Sequence, residues 1–212
     1  MTRELTAEFI GTFALIFIGA GAGAIGAGGL VGVALAHGLV VMSFAYVHGH
    51  ISGSHINPAV TAGVWAAGKI DAGRALSYMV FQLLGGAVGA FTLRWVMGGA
   101  DSGLGLTQPS EGTTIAAAVV LEAILTFFLA YSVLHAAVGG KAGNLAGVAI
   151  GVTLVFAILM GGPITGASLN PARSLGPAMA TGNFNLLWVY FVGPVVGAIA
   201  AGGLYRSYMS KG

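Results

Sequence analysis

From Phe9 to Gly68 the chain runs 60 residues without one Asp, Glu, Lys or Arg, and the stretches Ala142–Ala172 and Ser174–Tyr205 are equally bare. A water-soluble domain keeps about a quarter of its residues charged. Here the charged share is 7% against 57% apolar, with 37 glycines among 212 residues. A surface of that composition is solvated by hydrocarbon, so the chain reads as an integral membrane protein lying in a lipid bilayer. Nucleic acid is excluded as a partner, because the formal charge of +2 rests on 8 scattered basic residues that form no phosphate-binding patch. The absence of cysteine removes disulfides, thiolate metal sites and cysteine nucleophiles together.

A helix needs about 20 apolar residues to cross a hydrocarbon core. Six segments qualify, at about Leu5–Ala27, Leu30–His48, Arg74–Met97, Thr113–Ala136, Asn144–Met160 and Asn185–Tyr205. The first is longer than the core of a signal peptide and lacks an obvious cleavage site, so it reads as a retained span. Six spans bring both termini to one side. Arg3, Lys69, Arg74, Lys141, Arg206 and Lys211 then share that side, against Arg94 near the other and Arg173 inside an apolar segment. The positive-inside rule predicts cytoplasmic termini, and the expected location is the cell (plasma) membrane.

Two further segments, His50–Gly68 and Gly161–Gly182, are too short and too polar to span, and each carries an Asn-Pro-Ala triplet: Asn57, Pro58, Ala59 and Asn170, Pro171, Ala172. The run from Ile51 to Thr61 aligns with Ile164 to Ser174 at an offset of 113, and Glu8 to Thr12 with Glu122 to Thr126 at an offset of 114. Gly85–Ala90 and Gly193–Ala198 echo each other more loosely, and such glycines suit close helix crossings. The chain therefore reads as one channel domain over 1–212, built from halves at about 1–100 and 113–212. Each half holds three spans and one half-length helix. Three is odd, so the second half inserts upside down, and the short helices enter from opposite faces to meet near the middle. The expected fold class is an all-α membrane protein with six transmembrane helices plus two half-helices in an inverted repeat.

In each triplet Asn suits the helix N-cap, and Pro at the first helical position loses no hydrogen bond. The preceding residues are then expected to be extended, non-helical backbone, tolerated at membrane depth only where carbonyls face protein or water. Gly53, Ser54, His55 and Gly166, Ala167, Ser168 would supply a ladder of carbonyl acceptors. Two helix N-termini facing each other gather partial positive charge at the midplane and repel cations. A water that gives its oxygen to the Asn57 and Asn170 amides points its hydrogens outward along an apolar wall, which interrupts proton hopping. Arg173 is the sole charge between Ala142 and Tyr205, and an intramembrane Arg marks a pore by default. These features describe a pore for neutral molecules that calls for no cofactor. His48, His50 and His55 lack the carboxylate or Cys that would complete a metal set, and His55 reads as a pore-mouth residue. His135 reads as interfacial, with gating as the alternative.

On these motifs the chain resembles the aquaporin and aquaglyceroporin superfamily over essentially its whole length. The resemblance rests on the segment Ser52–Val60, the segment Ser168–Ala178 and the Glu8/Glu122 pair. It implies six tilted helices, two half-helices, one pore per protomer and a homotetramer. It also implies a selectivity filter, which spacing from each Asn carries to His37, Ile158, Ala167 and Arg173. Strict water channels usually place Phe and His where this chain has His37 and Ile158, so the ring should be wider with one apolar wall. The set looks more like the plant tonoplast intrinsic proteins, which pass ammonia, urea or hydrogen peroxide as well as water. Glycerol facilitators typically follow the Arg with Asp where this chain has Ser174, and Trp188, placed in the last span, also fits the water-channel branch better. Glycerol is the alternative substrate. Under the same resemblance, Glu8 and Glu122 accept hydrogen bonds from the loop backbones. The Gly98–Gly112 loop is a candidate for one further filter residue.

Other classes compete. A membrane hydrolase needs a nucleophile or metal set, and neither His-Glu-x-x-His nor Gly-x-Ser-x-Gly occurs. The chain is not read as an enzyme. A coupled transporter would use Glu8 or Glu122 to carry protons, and a junction protein would conduct nothing.

Overall fold

Apolar runs bounded by glycine and by capping side chains become helices whose outer surfaces, not their contacts with one another, carry much of the large apolar area. The computed structural model describes residues 2–209, and Lys211, one of the basic residues used above for orientation, lies outside them. Among the described residues, six helices are long and apolar enough to cross a membrane: α1 (Thr2–Ala24), α2 (Gly29–Ser52), α4 (Ala72–Val96), α5 (Ile115–Val138), α6 (Gly143–Thr165) and α8 (Val189–Tyr208). Two half-length helices, α3 (Pro58–Ala66) and α7 (Pro171–Thr181), lie between them in chain order. Outward-facing Trp95 and Leu76 are 81% and 64% exposed, whereas Glu8, Gln82 and Glu122 are fully buried. That inversion of a soluble protein's pattern is what a hydrocarbon solvent selects.

Local chemistry explains the helix ends. Asp71 caps α4 by accepting from Arg74 N at 2.9 Å, and Thr114 caps α5 by accepting from Ala117 N at 3.2 Å. α2 and α6 both end at a left-handed glycine, Gly53 at φ 87° and Gly166 at φ 83°, whose N–H closes the last turn onto Gly49 O and Gly162 O. α2 therefore continues to Ser52 and α6 to Thr165, further than the expected span ends at His48 and Met160. α8 starts at Val189 rather than Asn185, because residues 185–188 form turns, so Trp188 precedes the last span instead of lying in it. α1 contains one π-helical turn, Leu15–Ala20.

The helices pair in two equivalent sets. α1 packs along α4, α5 along α8, and α2 along α6, while half-helix α3 lies against α8 and half-helix α7 against α4. Each half-helix is thus gripped by the last helix of the other half. Gly85 and Gly89 let α4 approach the Phe9 and Phe13 carbonyls of α1, and Gly193 and Gly197 do the same for α8 against α5. At Gly86 a Cβ would stand 2.8 Å from the Ala172 carbonyl oxygen in α7. Gly86→Val should therefore lower stability by about 1–3 kcal/mol, seen as a lower unfolding temperature in detergent. An unchanged temperature would show that α4 and α7 do not touch there.

Candidate functional site

The two loops that lead into the half-helices are non-helical, as expected, and extended at Asn57 and Asn170, but the residues before each Asn are turned rather than extended. In the first, Gly53, Ser54 and Ile56 have φ of 87°, 50° and 41°; in the second, Gly166, Ala167 and Leu169 have 83°, 44° and 54°. Left-handed backbone at a non-glycine residue costs about 1–3 kcal/mol and persists only where the surroundings impose it. The turns point successive N–H groups to one side, and a buried carboxyl meets them. Glu8 Oε1 accepts from Ser52 Oγ at 2.6 Å and His55 N at 2.9 Å; its Oε2 accepts from Ile56 N at 2.6 Å and Gln82 Nε2 at 2.7 Å. Glu122 Oε1 accepts from Thr165 Oγ1 at 2.8 Å and Ser168 N at 2.9 Å, and its Oε2 from Leu169 N at 2.8 Å. Tyr78 and Tyr190 donate their hydroxyls to the Ser52 and Thr165 carbonyls.

Asn57 and Asn170 do two things each. Their Oδ1 atoms cap α3 and α7, accepting from Ala59 N at 2.8 Å and Ala172 N at 2.9 Å, with Pro58 and Pro171 at the first helical position. Their Nδ2 atoms cross to the opposite loop, Asn57 to Leu169 O at 2.8 Å and Asn170 to Ile56 O at 3.0 Å. The half-helix N-termini therefore meet in the interior. One amide hydrogen of each Asn is taken by that crossing, and the second remains for a ligand. Ile56 and Leu169, absent from the expected set, hold both amides in place.

Asn57 and Asn170 line a cavity of about 410 Å³ that runs from Tyr46, His50 and Asn144 past both loops to His37 and Arg173. Its loop wall includes Gly53, Ser54, His55 and Ser168, and its other wall is apolar, with Leu15, Val41, Leu129, Val133, Ile150 and Leu154. Gly166 and Ala167 lie outside that lining, as does Ile158, and Ile158 and Ala167 are buried at 3% and 2% exposure. His55 Nδ1 lies 3.1 Å from Thr61 Oγ1, and its ring meets Tyr78 edge-on at 5.4 Å.

His37 Nδ1 donates to Val33 O at 2.8 Å, which makes Nε2 the acceptor in the neutral ring; Nε2 is buried with no partner among the described residues. Arg173 donates through Nη1 to Gly105 O, and its Nε is likewise buried without a partner there. The Gly98–Gly112 loop thus reaches the site through a backbone carbonyl rather than a filter side chain. Thr107 Oγ1 from the same loop sits 2.6 Å from Ser174 Oγ, which is 2.6 Å from Ser168 Oγ. His135 is not at this site: its ring lies between Tyr131 at 4.3 Å and Tyr205 at 5.1 Å. Tyr78, Tyr190, Gln82 and Thr107 stand outside the set expected from the sequence, and Ser52 and Thr165, expected only as loop residues, act through their hydroxyls. The pairs Ser52/Thr165 and Tyr78/Tyr190, at offsets of 113 and 112, were visible in the repeat.

Facing helix N-termini, outward amide donors and one apolar wall make a path for small polar molecules rather than a place for bond chemistry. Comparison with known proteins agrees. The profile of the family described as Major intrinsic protein matches residues 1–205. Aquaporin NIP1-1 of Zea mays is 41% identical over 96% of this chain and 74% of its own length, and Nodulin-26 of Glycine max is 41% identical over 96% and 77%. The crystal structure of the aquaglyceroporin from Plasmodium falciparum superimposes with a TM-score of 0.85 at 29% identity, covering 98% of this chain and 96% of that one. The chain belongs to the major intrinsic protein family: it is a multi-pass membrane channel for water and small solutes, with the aquaporin fold, and not an enzyme.

Proposed function

We propose that this channel passes water together with small neutral solutes such as ammonia, urea or hydrogen peroxide, and excludes protons and ions. The observation that carries the reading is the meeting of Asn57 and Asn170 on the wall of one cavity, each amide fixed by the opposite loop. A water there accepts from both amides and cannot relay a proton through its own oxygen, and the half-helix dipoles add a barrier to cations. Glu8 and Glu122 hold the loop turns, so that the carbonyls of Gly53, Ser54, His55 and Ser168 serve as acceptors along the cavity, and those of Gly166 and Ala167 continue the path beyond its lining. His37 and Arg173, at the end of the cavity, form the selective constriction together with Ile158 and Ala167, which stand beyond its lining. Arg173 offers donors to a passing oxygen, His37 Nε2 accepts from a passing N–H or O–H, and Ile158 supplies an apolar wall.

The 212 residues act as one channel domain of two inverted repeats. The family resemblance supports a homotetramer with one pore per protomer. Six spans thread Lys69, Arg74 and Lys141 to the side of the N-terminus, which supports cytoplasmic termini, and the membrane proposed is the cell (plasma) membrane.

Stopped-flow light scattering on proteoliposomes tests the filter. Wild-type vesicles should shrink rapidly and then admit urea, and His37→Phe with Ile158→His should keep the water flux while cutting urea entry by about tenfold. Urea entry unaffected by that pair of changes would remove His37 and Ile158 from the filter. The likeness to the aquaglyceroporin supports a second reading, glycerol conduction. A glycerol gradient on the same vesicles decides between the two.

A further inference from the structure

Gly19 lies in the π-helical turn Leu15–Ala20 of α1. Such turns recur at functional sites because they carry an extra residue and displace the backbone. A Cβ built on Gly19 would stand 2.7 Å from His37 Cδ2, 2.8 Å from Nε2 and 2.9 Å from Cγ. Three ring atoms at nearly equal distances mean that the imidazole lies flat over the glycine backbone. Ordinary carbon contacts are about 3.5–4.0 Å, so any side chain at 19 forces a displacement of about 1 Å.

Two observations decide which partner moves. α1 cannot retreat, because the next residue, Ala20, abuts the loop that holds Arg173: a Cβ on Gly105 would stand 2.9 Å from Ala20 Cα. The Gly105 carbonyl accepts from Arg173 Nη1, so α1 is packed at Ala20 against the segment that holds the other polar wall of the constriction. His37 has room on one side, since it lines the cavity while its Nδ1 is tethered to Val33 O. A ring pushed off Gly19 goes into the path.

We propose that Gly19 is a positioning residue for selectivity: its missing side chain is the platform that keeps the His37 imidazole against α1 and sets the free width between His37 and Arg173. The proposal rests on the reading of His37 and Arg173 as the constriction. Any residue with a Cβ at 19 narrows the channel through His37, not through loss of folding.

The test uses proteoliposomes of the wild type, Gly19→Ala, His37→Ala and the double variant, with water and urea flux measured per folded protein. Gly19→Ala should cut urea entry by about tenfold and water flux by less, since the larger solute feels a narrowed ring first. His37→Ala should raise urea entry, and the double variant should match His37→Ala, because without the ring Gly19 has nothing to support. Wild-type flux in Gly19→Ala overturns the proposal, as does a loss that the double variant does not relieve. If Gly19→Ala fails to fold, the double variant should still fold, and failure of both overturns it. His37→Ala that conducts water and urea like the wild type overturns the constriction reading and this proposal together, whereas a changed His37→Ala with an unchanged Gly19→Ala overturns this proposal alone.

Discussion

Glu8→Ala is expected to yield no folded channel. The substitution strands four donors in the interior: the Ser52 hydroxyl, the His55 and Ile56 N–H groups and the Gln82 amide. Each buried donor left without a partner costs about 1–3 kcal/mol. Their total, about 4–12 kcal/mol, is comparable with the whole stability of a typical domain, about 5–15 kcal/mol. The left-handed residues Ser54 and Ile56 then also lose the group that compensates their backbone. Glu122→Ala strands three donors, the Thr165 hydroxyl and the Ser168 and Leu169 N–H groups, and should be damaging in the same way but less so. Gln at either position keeps one acceptor oxygen and turns an amide against donors, so it should fall between Glu and Ala. Gel filtration and thermal melting in detergent rank the variants. A Glu8→Ala protein that folds normally and loses only coupling to a proton gradient would favour the transporter reading instead.

The largest functional change is expected from Asn57→Asp. The carboxylate keeps the acceptor that caps α3 at Ala59 N, so the half-helix should form. What it loses is the donor to Leu169 O and the second hydrogen offered to the path. In exchange it puts a full negative charge where two helix N-termini meet. A unit charge about 5 Å from a passing cation, at an effective dielectric of about 20, changes its energy by about 3 kcal/mol, or roughly a hundredfold in rate. Proton and sodium leak should therefore rise by about two orders of magnitude while water flux changes little. A pH-sensitive dye trapped in the proteoliposomes reads this directly. An Asn57→Asp channel as tight to protons as the wild type would mean that the midplane field is not the barrier.

Departures from the repeat explain why the Glu8 and Glu122 substitutions should differ in effect. Glu8 and Glu122 occupy equivalent positions, yet Gln82 serves Glu8 while its counterpart at an offset of 112 is Pro194, which has no donor to give. The second half is tied instead through hydroxyls, with Ser174 bridging Ser168 and Thr107 from the Gly98–Gly112 loop. That loop also holds Arg173, so the polar wall near His37 depends on a segment that the repeat does not contain.

Charge-free runs of spanning length, helix-start triplets and an offset of 113 are local or periodic signals, and they are enough to read six spans, two half-helices and a meeting of Asn57 with Asn170 from the amino-acid order alone. They are enough because hydrocarbon leaves a chain few ways to satisfy its backbone, and an odd number of spans per half dictates the inversion. Tertiary structure decided the rest. Non-glycine residues at φ 41° to 54° in the loops have no propensity signature, since Glu8 and Glu122, more than 40 positions away, impose that backbone. The Gly105 carbonyl on Arg173 and the Gly19 platform under His37 are likewise contacts between segments distant along the chain. A carbonyl has no sequence identity, and a missing Cβ shows its meaning only when a ring from another helix is laid against it.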